Sequence, residues 1–229
     1  VVKLTDNKNE KLLVSANRTL ENEYLKVLFD ESYQIVSVLC KKTKRELVCK
    51  GGAFNALSAY MDINHTYDAW ELHEDYATVQ ERIKQVECVE YFNDGVRAGV
   101  IIVRKFRQSI ITEKISISNI SESIDVETQV DWREKNTLLK TEFDVDIMAD
   151  KATYNIQFGN IERSTLNNTT YEQAQFEVPF HKFFDLSEGD YGVAILNDCK
   201  YGGFVKENKM SLTLIKSASY PWKNADVGI

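Results

Sequence analysis

The sequence predicts an all-β chain, folded as a large antiparallel β-sandwich of several sheets. Apolar and polar residues alternate over its middle third, Asp-Gly sits between two apolar runs, and helical spacing of apolar residues is nearly absent. Taken in order, the first strands are expected over 24–29 and 35–39, where Tyr, Leu, Val, Phe and Ile predominate. The basic run Lys41, Lys42, Lys44 and Arg45 falls between strands and reads as a solvated turn. Over 54–61, Phe54, Leu57 and Met61 share one helical face, the one helix-like stretch of any size, and too short to decide. Asn93-Asp94-Gly95 separates the runs 86–92 and 96–106, and Asp-Gly supplies the positive φ that a tight hairpin turn needs.

From Ile115 to Ile147 the period is two. Ile115 and Ile117 share a face; Ile124, Val126, Val130 and Trp132 oppose Asp125, Glu127, Gln129 and Asp131; Phe143, Val145 and Ile147 oppose Asp144 and Asp146. Such strands have one wet and one buried face, which favours antiparallel sheet. Further strands are expected over 154–158, 175–180, 192–196 and 210–215, giving about a dozen in all. Sheets with an apolar side must pack face to face, hence the sandwich.

Composition narrows the partners. The 229 residues are 43% hydrophobic and 28% charged, which is globular usage and excludes a disordered or fibrous chain. Twenty-eight Lys and Arg against 35 Asp and Glu leave a net charge of −7, so no nucleic acid or anionic lipid surface is expected. No apolar stretch is long enough to span a bilayer, and residues 1–11 alternate with charge rather than forming a signal-peptide core. Cys40, Cys49, Cys88 and Cys199 are scattered, which fits a reducing, cytoplasmic compartment; Asn-x-Ser/Thr matches at Asn17, Asn64, Asn119, Asn167 and Asn168 arise readily by chance in such a chain. There is no repeat, and with only Pro179 and Pro221 there is no proline-rich linker. Opening on Val1 and closing on Asp226-Val227-Gly228-Ile229, the chain reads as a piece of something longer.

Chemistry-bearing patterns are few. The histidines are His65, His73 and His181; His65, Asp68 and His73 could converge only through a folded-back loop, so no metal set is assigned. Phosphate loops, nucleophile elbows and cysteine–base pairs are absent from the pattern. The stretch 64–76 differs, placing Tyr67, Trp70 and Tyr76 among acids and histidines outside any alternation. Aromatic faces stack on the C–H side of a pyranose and carboxylates accept its hydroxyl protons, so the mixture suits a sugar; the alternative is that Tyr67 and Trp70 plug a long loop and the acids are solvated. Two Gly-containing stretches, 158–163 and 197–203, read as turn chemistry, with Arg163 an ion-pair partner of a neighbouring acid.

In this order the stretches resemble the C-terminal β-rich region of glycoside hydrolase family 38, the α-mannosidases, especially its cytosolic, vacuolar and bacterial branch. The resemblance rests on Leu20 to Val27, Tyr67-Asp68-Ala69-Trp70, Trp132 to Lys140, Phe158 to Arg163, His181 to Gly189, Tyr191 to Ala194 and Leu196 to Gly202. It implies that residues 1–229 are the β-sandwich region, of the galactose-mutarotase type, of a longer enzyme whose N-terminal catalytic domain and final strands lie elsewhere. It further implies retaining hydrolysis of terminal α-D-mannose from oligosaccharides. The zinc ion and both catalytic carboxylates would come from outside this chain, so no catalytic or metal residue is assigned here and the chain alone is expected to be inactive.

What the resemblance assigns to this chain is part of the substrate-pocket rim. Asp68 would bond a hydroxyl or orient another group, with Tyr67 or Trp70 shaping the wall. Lys216 stands where the family usually has arginine, a change that keeps the charge and loses the planar fork. Lys216-Ser217-Ala218 replaces an arginine, serine and proline, and Ser164 follows Arg163 in place of proline. Asn160, Glu162 and Arg163 match a family signature and read as bracing a sandwich corner or the contact with the catalytic domain. Two other functions remain open from these residues: an autonomous carbohydrate-binding module, and a scaffold that docks on the catalytic domain or pairs with a second copy as a homo-oligomer.

Overall fold

The computed structural model describes residues 13–62 and 67–223; expectations touching Asn64 and His65, residues 1–11 and the final 226–229 lie outside the described residues. Strands hold 56% of the residues and helix 5%, so the class is all-β, and each strand pair is antiparallel.

Five strands open the chain: β1 (Leu13–Ala16), β2 (Thr19–Asn22), β3 (Leu25–Phe29), β4 (Ile35–Cys40) and β5 (Arg45–Glu46), paired in that order as one sheet. Next come β6 (Ala56–Met61) and β7 (Gln80–Arg82). The run β8 (Val86–Asn93), β9 (Arg97–Phe106), β10 (Ser109–Ser118) and β11 (Ile124–Asp131) makes a four-stranded sheet. After β12 (Thr137–Asp144), β13 (Lys151–Ile156) and β14 (Gly159–Ser164) form a hairpin, and a short helix α1 (Thr170–Ala174) precedes β15 (Val178–Pro179). The chain continues through β16 (Phe183–Glu188), β17 (Tyr191–Leu196), β18 (Gly202–Lys206) and β19 (Lys209–Lys216). A six-stranded sheet runs β15-β18-β19-β12-β6-β7, and the last sheet runs β14-β13-β16-β17.

The predicted hairpin stands at Asp94 to Val96. Gly95 takes φ +84°, and the Asp94 carboxylate accepts from the Val96 and Arg97 amides at 2.9 and 2.6 Å. The helix-like stretch over 54–61 resolves as strand: residues 56–60 of β6 are all buried, because β6 sits between β12 and β7 with both faces covered, which erases the alternation. The strand expected over 175–180 is corrected more sharply. Thr169 caps α1 through a reciprocal bond with Glu172, Gln175 ends that helix, and only Val178 and Pro179 pair, at a sheet edge where the missing proline N–H costs nothing. Lys41, Lys42 and Lys44 form the turn between β4 and β5, with Lys41 paired to Glu21 at 2.7 Å, while Arg45 opens β5 and pairs with Glu188.

One hydrophobic cluster draws on all four sheets, including Val27 and Val38, Val100 and Ile115, Tyr154 and Phe184, Met210 and Leu212. A second, around Trp132 stacked on Phe106 at 5.9 Å, joins β6, β9, β10 and β12. Buried polar groups tie the sheets together as well. Arg104 of β9 donates from Nε to Glu113 of β10 at 2.6 Å and from its two Nη to the Ser32 and Tyr33 carbonyls, both at 2.7 Å. The other Glu113 oxygen accepts from Asn55 at 2.7 Å, and Asn55 accepts from Thr141 of β12 at 2.8 Å. Burial holds the Glu113 carboxyl above the ordinary carboxylate range although Arg104 pulls the other way. Three of the four sheets meet at this fully bonded network.

Candidate functional site

Three connections meet at one end of the six-stranded sheet: the segment after β6, the residue before β12 and the segment after β19. Tyr67 adopts φ +60°, and its carbonyl accepts from the Trp70 and Glu71 amides at 2.8 and 3.2 Å. This tight turn sends Asp68 inward, where it is 3% exposed, and Tyr67 and Trp70 outward. Asn136, also with positive φ (48°), donates its amide to the Ser217 carbonyl and accepts the Asp62 amide, each at 2.8 Å. Asparagine tolerates that backbone region better than most residues.

Asp68 closes the arrangement. One carboxylate oxygen accepts from the Ser219 amide at 2.6 Å, the Ser219 hydroxyl at 2.8 Å and Asn136 Nδ2 at 3.3 Å; the other accepts the Tyr220 amide at 2.8 Å. Burial works to raise its pKa, but the Ser219 donors, the Tyr220 amide and the charge of Lys216 together outweigh it, so the carboxyl titrates below its ordinary value. It is an ionised clasp whose donors all come from this chain, and what it orients is the 219–220 backbone.

Outside the clasp stands a cluster of rings. Tyr67, Trp70 and Tyr220 are 54%, 68% and 49% exposed, with centroids 6.1 Å (Tyr67–Trp70), 5.5 Å (Tyr67–Tyr220) and 5.9 Å (Trp70–Tyr220) apart. All three contacts are edge-to-face, at 62–85° between planes. The expectation of a loop plugged by Tyr67 and Trp70 therefore does not hold. The ring that plugs is Tyr76, which packs edge-on against Tyr60 at 5.4 Å beneath the 3-10 turn Glu74–Thr78.

Lys216, the last residue of β19, pairs with the fully buried Asp62 carboxylate. It stands opposite Leu138 of β12, whose other neighbour is Tyr60 of β6. That face of the sheet is polar and largely buried. Glu142 accepts from Tyr60, Ser58 (3.2 Å) and Gln80 (3.1 Å) and pairs with Arg82 at 2.9 Å. Lys140, wholly buried, bonds Glu177 at 2.5 Å and the Thr213 hydroxyl at 2.8 Å. Burial lowers the Lys140 pKa against the pull of Glu177, and burial followed by nearby carboxylates drives the Tyr60 and Tyr76 hydroxyls well above their usual range.

The other predicted residues stay apart from this end. Asn160 accepts from Asn155 at 3.2 Å and Glu162 pairs with Lys151 at 3.0 Å, both on the exposed β13–β14 hairpin. Arg163 is a correction: among the described residues it forms no ion pair. Its guanidinium lies 4.7 Å from the Tyr154 ring centroid and one buried Nη has no partner, because the adjacent Glu162 points the other way to Lys151. Asn197 accepts the Lys200 amide at 2.6 Å, as turn chemistry requires. His73 accepts the Asp75 amide at 3.2 Å, and among the described residues no three His, Cys, Asp or Glu side chains converge on one point. Sequence reasoning missed Asp62, Asn136, Ser219 and Tyr220. The aromatic pair Tyr220 and Trp222 around Pro221 was the one visible signal.

An all-β chain of four joined antiparallel sheets with a clasped aromatic corner defines the class as a β-domain. Over residues 20–224 the chain matches the family model described as "Glycosyl hydrolases family 38 C-terminal domain", and it belongs to that family. It is similar to alpha-mannosidase 2C1 of Mus musculus, 30% identical over 92% of this chain and 20% of that protein. Alpha-mannosidase G of Dictyostelium discoideum is 33% identical over 96% of this chain and 21% of that protein. An alpha-mannosidase of Saccharomyces cerevisiae is 47% identical over 46% of the chain. The chain thus spans about a fifth of the length of the first two relatives. In fold it is similar to the crystal structure of an alpha-mannosidase from Enterococcus faecalis V583, with a TM-score of 0.75 and 16% identity, covering 90% of this chain and 26% of that one.

Proposed function

We propose that this chain is the β-domain of a cytoplasmic, retaining α-mannosidase that removes terminal α-D-mannose from oligosaccharides, and that it supplies the enzyme's architecture and one part of its pocket rim. The observation that supports the activity is the family match over residues 20–224 together with relatives named as alpha-mannosidases. Within that reading the four sheets pack as a sandwich of the galactose-mutarotase type. Tyr67 and Trp70 form the wall of the rim, and the Lys216–Asp62 pair stands behind it.

Retaining hydrolysis needs two carboxyl groups about 5–5.5 Å apart, one attacking the anomeric carbon and the other serving as acid and base. The carboxylates gathered at this end are committed: Asp68 to backbone amides and Asp62 to Lys216. On the family reading both catalytic groups lie in polypeptide outside this chain. On the same family reading zinc, which would bind vicinal hydroxyls of the sugar, belongs to that part of the enzyme too.

The test is hydrolysis of an aryl α-mannoside with zinc present, by this chain alone and by the full-length enzyme that carries it. Turnover is expected from the longer protein and none from the chain. Activity in the isolated chain overturns the division of labour, and a full-length protein inert on α-mannosides overturns the substrate. The exposed rings favour a second reading, an autonomous mannoside-binding module; calorimetry of the chain with mannose and α-mannobiose decides it, heat at millimolar ligand supporting the module.

A further inference from the structure

We infer that Tyr220 is a third ring of the sugar-facing wall, and that Asp68 is a positioning residue that holds it there; the inference rests on the rim reading above. The geometry carries it. Tyr67 and Trp70 flank Asp68 in one turn, while Tyr220 arrives from a segment about 150 residues further along the chain, brought in by the single Asp68 carboxylate. That carboxylate is spent on the backbone amides of Ser219 and Tyr220, so the Tyr220 backbone is fixed from the same residue that sits between the other two rings.

None of the three rings belongs to a hydrophobic core cluster, so their mutual contact does not seal the interior. Three large aromatics meet at the surface with about half to two-thirds of their area in water, where single exposed rings would need no explanation. Their planes are mutually inclined, so they line a corner, and two of them carry phenolic hydroxyls at the edge. An apolar corner with hydrogen-bonding edges complements a pyranose, which has an apolar C–H face ringed by hydroxyls. A flat protein partner would call for a flat, continuous apolar patch instead.

The experiment uses the full-length enzyme with α-mannobiose and compares kcat and KM for Tyr220→Ala, Tyr220→Phe, Asp68→Asn and Trp70→Ala. Tyr220→Ala is expected to raise KM about threefold to tenfold, the worth of one ring contact, with kcat within about twofold. Tyr220→Phe keeps the ring and loses only its edge hydroxyl, so it should raise KM clearly less than Tyr220→Ala; Asp68→Asn, which loosens the clasp, should raise KM in the same direction as Tyr220→Ala. An unchanged KM for Tyr220→Ala beside a raised KM for Trp70→Ala overturns the role of Tyr220 and leaves the rim standing. Unchanged KM for both variants overturns the rim itself. A change confined to the melting temperature, with KM untouched, assigns the rings to packing against the rest of the enzyme and refutes the proposal. Should Asp68→Asn melt within the assay range, Tyr220→Ala and Tyr220→Phe decide between these outcomes by themselves.

Discussion

Separating Arg104 from Glu113 should cost more than any surface change in this protein. Two unit charges with centres about 4 Å apart attract by about 4 kcal/mol at an effective dielectric near 20, while each buried ion loses several kcal/mol of hydration. As a pair they roughly break even. Singly they do not: Glu113→Leu leaves a guanidinium that is 2% exposed without its counter-charge and orphans the Asn55 amide. A cost of about 3–5 kcal/mol follows for either Glu113→Leu or Arg104→Met. In a chain of this size that lowers the melting temperature by roughly 6–20 °C, measured by circular dichroism on each variant. The double variant should cost far less than the sum, with a coupling energy of about 2–3 kcal/mol, because the second substitution removes the stranded charge. Single losses under about 1 kcal/mol, or additive ones, would refute the reading of this network as an inter-sheet keystone.

Three further outcomes are expected. The folded-state pKa of Asp68 lies below its unfolded value, so the clasp contributes stability in full above about pH 4 and loses it as pH falls through the folded pKa; melting temperatures from pH 5 to pH 2 should fall less steeply for Asp68→Asn than for the parent. Replacing Lys216 by Met leaves the buried Asp62 carboxylate without its ammonium and should cost roughly 1–3 kcal/mol in urea unfolding, while Lys216→Arg keeps the charge and recovers most of it. Phe158, in the tight β13–β14 turn, holds φ +62° with its ring fully exposed, so Phe158→Asn should be neutral or stabilise by up to about 1 kcal/mol in thermal melts.

Where local chemistry acts alone, the sequence was sufficient. Asp94-Gly95 made its hairpin because a carboxylate two and three residues from free amides, followed by a residue tolerant of positive φ, needs no tertiary help. The β10 alternation showed in Ile115 and Ile117 because one face of that strand packs on the core. The 54–61 stretch was illegible for the opposite reason: β6 is covered on both sides, and a doubly buried strand carries no period to read. Residues 175–180 misled because apolar spacing says nothing about the Thr169–Glu172 cap that ends a helix at their start.

By itself, then, the sequence determined the all-β class and the main hairpin, since each depends on residue types within a few positions of one another; the choice of 67–70 as a candidate rim came from the family resemblance, which spans the chain. Only the tertiary structure decided that Asp68 faces inward onto Ser219 and Tyr220, that Lys216 is matched to Asp62, and that Tyr220 joins Tyr67 and Trp70. Those contacts cross about 150 residues of chain, and no pattern in one short segment records which distant amide will reach its carboxylate. The physical reason is the order of β19 and β12 in the central sheet: it carries the 217–220 segment to the end of β6, and the clasp forms where they meet.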